Sequence, residues 1–487
     1  MNALEADLLE AIPAGARRIL VIGEDLLRHR AVWEMRNPMV EISAASGPWT
    51  KPILAGKAPR VEAAILSLDE LGDEAAFAIG RALDCLAPAG TLTLFAADHG
   101  KVAPSLTTVL ADRGLVIERR NAGASANSHE ILRFCFTDGQ RRELHLFGYP
   151  MVQAGAGPIR ESVVRVRMQE PFAQLNSVPG VRCHVSAQLV QRDATPLGAP
   201  NCDNILIIQR TFIRDPEPFL ERARAQNFIT ILEIDDDPSY RATTEDAAIV
   251  IEENLRRHHA IQTSTPQIAD RLRKFNPEVG LIGNHLDRIP PYNPRKPAEQ
   301  LRIGFAAINR EAGWASIIAA YRDVVAAYGD RIVTDIVGDR KFFDALNPLR
   351  RTFQEQIPYV DYLGLLEKCD IVLLPLADTP FDRGKTDLKF IECAGVGTAV
   401  LASHIVYGDT VRSGKTGYLY RNVDEFKRHL RALIEEPSTR ERVARHAHRY
   451  VCEHRTLANH VQQRIDWYRS LVDRRDELER LRRARVS

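Results

Sequence analysis

The sequence lacks the signatures of several protein classes. Its seven cysteines are scattered, without a CxxC pair or a cluster of cysteine and histidine, which argues against a disulfide scaffold and a zinc module. Lys and Arg number 65 and Asp and Glu number 64, for a formal net charge of +1. A general basic excess for gripping nucleic acid is therefore absent, and no nucleic-acid partner is predicted.

Long apolar runs are also missing. No segment approaches the roughly 18 apolar residues that a membrane-spanning helix requires, and the acidic start MNALEADLLEAIPAGARR has no apolar signal region. We expect a cytoplasmic protein. Residues 471–487 are expected to form a basic helical tail ending in solvent. Peripheral contact of this tail with the inner face of a membrane, or with a partner, is the alternative.

What the sequence does contain favours a large α/β protein. Its 487 residues are 45% hydrophobic, enough for more than one core. Apolar runs of strand length alternate with amphipathic helical stretches, which predicts parallel sheets. The alternation restarts to give three Rossmann-like doubly wound units, at 1–150, 159–295 and 296–470. A Gly/Pro-rich seam, Tyr149–Pro158, separates the first two, and Pro290–Pro297 connects the second to the third.

The first unit begins with a predicted strand, Arg17–Ile22, that ends at Gly23. A later helix, the turn Pro88–Gly90 and the strand Thr91–Ala96 follow. This order resembles the later half of a class I S-adenosylmethionine-dependent methyltransferase, whose first strand ends in a glycine-rich loop because only bare backbone can approach the cofactor. The loop here has a single glycine. Two interpretations stay open: a degenerate Rossmann-like domain without cofactor, and a working methyltransferase.

The third unit carries several motifs in order. The strand Asp370–Leu374 leads through the polar loop Asp378–Asp387 into a helix that begins at Leu388 with the sequence LKFIECAGVG. The strand Ala399–Ala402 and the segment Gly414–Gly417 come next. This order resembles the nucleotide-binding half of a GT-B-fold glycosyltransferase of the retaining family 4 (glycosyl transferases group 1), as a divergent branch. The resemblance implies that the second and third units form a GT-B pair around a cleft, binding the acceptor and the donor respectively.

The resemblance also implies a set of donor-binding residues. Glu392 matches the helix glutamate that binds the donor ribose, and a carboxylate suits this role because it accepts from both vicinal hydroxyls. Without a metal, Arg310 and Lys385 would supply the positive charge that stabilises the departing nucleoside diphosphate. Other candidates lie at strand ends or before the helix, with Tyr359 as a candidate for stacking on the base: Gly338, Asp339, Tyr359, Thr386 and Asp387.

Two positions depart from the family pattern. Gly384 stands where the family carries an earlier glutamate, and the lysine that usually follows the arginine of the first loop has no counterpart after Arg310. How the donor phosphates are neutralised is therefore left open. Gly384 in place of the glutamate, together with the single glycine of the loop at Gly23, favours an alternative function, a catalytically silent scaffold that binds glycans or nucleotides.

Candidates on the acceptor side come from the second unit. Arg210 and Asn284 follow predicted strands, and strand ends in open α/β sheets face the ligand crevice. His258 and His259 are candidates for a base or an acceptor ligand, because imidazole titrates near neutrality. Asp235–Asp237 is expected to form a turn, and no metal site is predicted.

Together these inferences predict a glycosyltransferase of the hexosyltransferase type. It would move a sugar from a nucleotide-diphosphate sugar to an acceptor hydroxyl, with retention implied by the resemblance and with no cofactor beyond the donor. The acceptor is expected to be a glycan, a lipid-linked molecule or a protein, in surface polysaccharide synthesis or protein glycosylation by analogy. A bifunctional methyltransferase–glycosyltransferase is a further alternative.

Overall fold

A computed structural model describes residues 3–45, 60–71, 75–97, 110–111, 115–122, 129–136, 142–151, 158–186, 198–295 and 298–486. Within these ranges, the strands are β1 (Arg18–Ile22), β2 (Glu41–Ala45), β3 (Val61–Ser67), β4 (Leu86–Ala96), β5 (Leu115–Ala122), β6 (Glu130–Phe136), β7 (Leu144–Tyr149), β8 (Val181–Val185), β9 (Asp203–Gln209), β10 (Phe228–Ile234), β11 (Ala260–Thr263), β12 (Val279–Leu281), β13 (Leu301–Ala306), β14 (Ile332–Val337), β15 (Arg351–Gln354), β16 (Ile371–Leu374), β17 (Ala399–Ser403) and β18 (Tyr418–Tyr420).

The helices of the described residues are α1 (Ala3–Ala11), α2 (Glu24–Leu27), α3 (Arg30–Arg36), α4 (Leu68–Leu71), α5 (Ala75–Cys85), α6 (Pro158–Val164), α7 (Glu170–Asn176), α8 (Glu217–Ala225), α9 (Glu245–Arg257), α10 (Pro266–Leu272), α11 (Glu311–Ala315), α12 (Ile318–Ala326), α13 (Arg340–Ala345), α14 (Tyr359–Lys368), α15 (Pro380–Arg383), α16 (Leu388–Gly395), α17 (Val423–Glu435), α18 (Pro437–His454), α19 (Leu457–Asp473) and α20 (Arg475–Val486). None of them is both long and apolar enough to cross a bilayer.

These elements build three six-stranded sheets, which confirms the predicted α/β class with Rossmann-like units. The orders are β2-β1-β3-β4-β6-β5, β12-β11-β10-β9-β7-β8 and β15-β14-β13-β16-β17-β18. The second and third sheets are parallel throughout. In the first sheet, β6 runs antiparallel to β4 and β5. Buried aliphatic strands pack against amphipathic helices around each sheet, as parallel sheets covered on both faces require.

The strand pairing corrects the predicted boundary between the first two domains. The strand β7 falls inside the predicted first unit (1–150), but it pairs in parallel with β8 and β9 of the second sheet. The second domain therefore begins before the Gly/Pro-rich seam, which joins β7 to α6 within that domain. Residues 152–157 of the seam, and 296–297 of the later Pro-rich connection, lie outside the described part of the chain.

A second correction concerns Val163–Met168, which the sequence predicts as a strand. The segment is helical: α6 ends at Val164 and a π-helical stretch covers Arg165–Gln169. A short apolar run does not by itself distinguish a buried strand from a buried helix. Here Arg167 is buried beside Val166 and Met168, and its Nε donates to Glu233 Oε1 at 2.7 Å. The charged side chain is therefore paired inside the protein, and the helical segment stays buried around it.

The C-terminal helices cross back from the third domain to the second. The chain crosses back at Arg455–Leu457, where the backbones of Arg455 and Leu457 hydrogen-bond the backbone of Leu286. Helices α19 and α20 then bury Tyr468 and Leu478 in the second core. The predicted solvent-exposed tail is therefore wrong for these residues: Leu478 is fully buried and Arg482 contacts Glu217 and Glu479. A membrane contact of the tail stays a prediction.

Candidate active site

A cavity of about 630 Å³ lies between the second and third domains. Its walls come from the carboxyl ends of strands in both sheets, where open parallel sheets bind ligands. Arg210 follows β9 and Asp236 follows β10, while Asn309 and Gly338 follow β13 and β14 across the cleft. The cavity thus lies where the sequence predicts a cleft between two facing Rossmann-like sheets.

Gly338 shapes the floor of this cavity. Its φ is +83°, in the region that favours glycine. A Cβ at this position would lie 2.8 Å from Ile308 Cγ2 in the loop after β13. The glycine therefore allows the loops that follow β13 and β14 to pack against each other beside the cavity, and its role in donor binding stays a prediction.

Glu392 lies on the cavity wall, on helix α16. Only 3% of the residue is exposed, and Tyr362 donates its hydroxyl to Glu392 Oε2 at 2.7 Å. Burial raises the pKa of the carboxyl group, while Lys389 and the hydroxyls of Tyr362 and Tyr359 act against that shift. The glutamate is thus a desolvated hydrogen-bond acceptor that borders an open space.

Tyr359 also lines the cavity. It is the first residue of helix α14. The residue is 6% exposed, and the Arg165 guanidinium lies 5.4 Å from its ring centroid. One ring face is therefore covered by the second domain, and stacking on a nucleotide base stays a prediction.

The positive charges of the cavity are mostly paired within the protein. Lys385 donates to Asp236 Oδ1 at 2.6 Å, across the cleft. Arg210 contacts both Asp235, at 3.1 Å, and Asp236, at 3.0 Å. Arg310 Nη1 lies 3.6 Å from Asp382 Oδ1. The structure thus brings Arg210, Arg310 and Lys385 to one cavity, as the sequence predicts, but each is near a carboxylate.

Two donor-side candidates have structural partners in place of a ligand. Asp339 caps helix α13 by accepting from the Phe342 amide at 2.9 Å, and it accepts from the Trp314 indole at 2.9 Å. Asp387 is held by both terminal nitrogens of Arg455, at 2.5 and 2.8 Å, and by the Thr410 hydroxyl. Neither residue lines the cavity. Their contacts therefore support a structural role for both and not the predicted donor-binding role.

Thr386 and Asn284 join the two domains beside the cavity. Asn284 Nδ2 donates to Thr386 Oγ1 at 3.1 Å, and Asn284 Oδ1 accepts from Arg167 at 2.8 Å. Thr386 lines the cavity and Asn284 does not. Asn284 is therefore better explained as a domain-joining residue than as part of an acceptor pocket.

The predicted role of His258 and His259 is wrong for positional reasons. Both residues precede β11, at the amino edge of the second sheet, whereas the cavity borders the carboxyl edge. His258 is fully buried and hydrogen-bonds the Asn254 carbonyl oxygen at 2.7 Å, and burial lowers its pKa to about 4. His259 lies against Glu479 of the C-terminal helix. Both are core residues remote from the cleft.

Three cavity residues were not singled out from the sequence for this role. Asp236 belongs to the acidic run Asp235–Asp237, which the sequence predicts as a turn. Within this run it is Asp237 whose side chain caps the turn, by accepting from the Ser239 amide at 3.0 Å. Tyr362 binds Glu392, and Lys389 lies on the cavity wall. The spacing of Lys389 and Glu392 along α16 was a usable signal, because residues three apart share a helix face.

The polar loop before α16 docks on the second domain. Tyr240 meets Phe381 edge-on with ring centroids 4.8 Å apart, and the Thr265 hydroxyl donates to the Gly384 carbonyl oxygen at 3.4 Å. Gly384, which departs from the glutamate of the family that the sequence resembles, is buried in this contact. The loop therefore belongs to an interdomain contact as well as to the cavity wall.

Another cavity, of about 770 Å³, lies at the opposite edge of the third sheet. It is lined by the amino-terminal starts of strands, including Leu301, Ile332 and Ala399. Strand starts are not where open α/β sheets bind ligands. The smaller interdomain cavity, with its convergent charged groups, is therefore the candidate site.

The sequence of the third domain matches a known family. Residues 318–466 match the family model described as "Glycosyl transferase-like". This segment is similar to glycosyltransferases. It contains Lys385, Lys389 and Glu392 and covers most of the donor half of the cleft. The predicted enzyme class is thereby confirmed at the level of this domain. No curated protein matches the chain.

Several solved structures resemble this chain at low sequence identity. TarM from S. aureus is 14% identical, with 54% of each chain covered and a TM-score of 0.43. HepE from Anabaena, solved with UDP-glucose, is 13% identical over 67% of this chain and all of its own, with a TM-score of 0.47. Sucrose-phosphate synthase from Thermosynechococcus elongatus is 15% identical, covering 67% and 99%, with a TM-score of 0.47. The chain spans about half of the length of TarM.

Proposed function

We propose that this protein transfers a sugar from a nucleotide-diphosphate donor to an acceptor hydroxyl bound between its second and third domains. The observation that carries the proposal is the position of Glu392. A desolvated carboxylate on the donor-side helix borders the interdomain cavity, where it can accept from two vicinal ribose hydroxyls. The family match of the same segment supports this interpretation.

The charges opposite Glu392 suit the rest of the reaction. Arg310, Lys385 and Arg210 border one cavity, and positive groups placed around a departing diphosphate stabilise the charge that develops there. The acceptor would enter from the side of Arg210 and Asp236. Retention of the anomeric configuration is part of the proposal and follows from the resemblance to family 4. An acceptor among glycans, lipid-linked molecules or proteins is likewise proposed by analogy.

The Glu392→Ala variant of the full chain tests the assignment of the donor site. Loss of a buried carboxylate that binds ribose should weaken nucleoside diphosphate binding by about 1–3 kcal/mol, measured by calorimetry. Glu367→Gln is the matched control, because Glu367 is an exposed glutamate on the helix that also carries Tyr359 and Tyr362. Equal affinities in wild type and the Glu392 variant would remove the assignment.

The scaffold alternative is separated from the enzyme by turnover. Release of nucleoside diphosphate is measured with a panel of donor sugars and a crude glycan acceptor, and the anomer of the product is read by NMR. Sugar binding without turnover for any donor would favour the scaffold.

The first domain is proposed to be a Rossmann-like unit without a methyl donor. The Glu70 carboxylate accepts from the amides of Glu24 and Asp25, both at 2.6 Å, at the start of α2 after Gly23. The Asp25 carboxylate in turn accepts from Ser67 at 2.8 Å. Acidic side chains thus satisfy the amides that a ligand would bind at this strand end. A rise in melting temperature with S-adenosylmethionine would favour the methyltransferase alternative.

A further inference from the structure

We infer that Lys389 is a further residue that binds the diphosphate of the donor, beside the cations of the proposed function. This inference rests on the proposed function, which supplies the diphosphate. It concerns a position on helix α16 that the sequence motifs do not single out, one turn before Glu392.

The other cations of the cavity are already neutralised in part. Lys385 is paired with Asp236 at 2.6 Å, and Arg210 contacts Asp235 and Asp236 together. A diphosphate that bound only these groups would have to displace existing carboxylates. Such an exchange contributes little to the free energy of binding, because one ion pair within the protein is lost for each ion pair formed with the ligand.

Lys389 differs from these residues. It lines the cavity, and among the described residues no carboxylate lies within ion-pairing distance of its ammonium group. The ammonium lies 5.0 Å from the centroid of the Tyr362 ring. The neighbouring carboxylate, Glu392, accepts from Tyr362. Burial lowers the pKa of Lys389, and the charge of Arg310 adds to that effect while Glu392 opposes it. A desolvated cation without a close counter-charge is stabilised by an anionic ligand.

The position of Lys389 on its helix fits the layout of a nucleotide. Lys389 and Glu392 are three residues apart, so they lie on one helix face and both border the cavity. In a nucleoside diphosphate the ribose adjoins the phosphates. A carboxylate for the ribose hydroxyls and a cation for the phosphates, one turn apart, match that adjacency. Lys389 also lies in the first turn of α16, where the helix dipole favours negative charge.

The test compares nucleoside diphosphates with the corresponding nucleosides by calorimetry on the full chain. The probes are UDP, GDP and ADP with uridine, guanosine and adenosine. For the diphosphate that binds wild type, Lys389→Met should lower the affinity about tenfold to a hundredfold, the usual size of a lost charge-assisted contact. Affinity for the nucleoside should not change. Lys389→Arg should restore most of the loss, and Lys368→Met, an exposed lysine of the same domain, should behave as wild type.

Each other outcome overturns the inference. An unchanged diphosphate affinity in Lys389→Met would remove Lys389 from the site while leaving the proposed function standing. An equal loss for diphosphate and nucleoside would indicate a structural role. If wild type binds no nucleoside diphosphate, the proposed function fails and the inference fails with it. Without nucleotide, Lys389→Met should melt at or above the wild-type temperature, because it removes a desolvated charge and keeps an apolar stem; a folding defect would contradict this.

Discussion

The ammonium of Lys385 lies 2.6 Å from Asp236 Oδ1, and the pair joins the donor domain to the acceptor domain across the cleft. Both side chains border the candidate site, with 16% and 32% of their surfaces exposed. Asp236 therefore pairs with Lys385, a cation that could otherwise bind the diphosphate of the donor. The pair is also one of the contacts, with Tyr240–Phe381 and Asn284–Thr386, that hold the loop before α16 on the second domain.

Replacing Asp236 by Asn should tighten nucleoside diphosphate binding. The carboxylate competes with the ligand for Lys385, and a partly exposed ion pair is worth up to about 1 kcal/mol, or about fivefold in affinity. Calorimetry at low and high salt measures the effect, which should shrink as salt screens the pair. Asp246→Asn is the control, since it removes an exposed ion pair with Arg214 on the second domain. Weaker binding in Asp236→Asn would show that Asp236 helps the ligand bind.

Replacing Asp387 by Asn should lower stability and leave nucleotide affinity unchanged. Its carboxylate is held by Arg455 in a bidentate pair whose side chains are 13% and 16% exposed. Breaking one partner of a mostly buried pair costs about 3 kcal/mol, measured by urea denaturation. The exposed pair Asp323–Lys427 gives the control Asp323→Asn, with an expected loss below about 1 kcal/mol. A selective loss of nucleotide binding in Asp387→Asn would restore its predicted donor-binding role.

The stability of the junction between the first two domains should fall as pH rises from about 4.5 to about 7. Glu170 lies beside a cavity of about 310 Å³ at this junction, and burial, with Asp287 nearby, raises its pKa from 4.5 to about 7. A carboxyl group whose pKa is raised by folding favours the folded state while it is protonated. That contribution is present below the unfolded pKa and is lost as pH rises through the folded pKa.

The variant Glu170→Gln cannot ionise at this position. Relative to wild type it should gain roughly 1–3 kcal/mol of stability between pH 5 and pH 8, measured by urea denaturation at both values. Glu161→Gln, an exposed position on the same cavity, should show no such change. An equal difference between Glu170→Gln and wild type at both pH values would contradict the prediction.

The sequence predicts the strands of the second and third sheets well. The apolar runs Ala260–Thr263 and Ile332–Val337, for example, are read as strands from the sequence and are strands β11 and β14 with the same bounds, since a strand buried on both faces leaves a continuous apolar run. The pattern fails at Val163–Met168, where a charged residue, Arg167, is buried through a partner 66 positions away, Glu233. No local pattern records such a partner, and the domain boundary misplaced at the seam has the same cause, because strand pairing is non-local.

For the site, the sequence by itself determined which residues follow the strands and begin helix α16, and this was enough to bring Arg210, Arg310, Lys385 and Glu392 to one cavity. Only the tertiary structure decided which of the charged side chains near the site are already paired with another residue of the protein. Asp387 is committed to Arg455 and Lys385 to Asp236, whereas Lys389 faces the cavity without a close carboxylate among the described residues. The physical reason is that motif order fixes the sheet edge on which a side chain lies, while its charge state and partners depend on groups that the fold brings from distant parts of the chain.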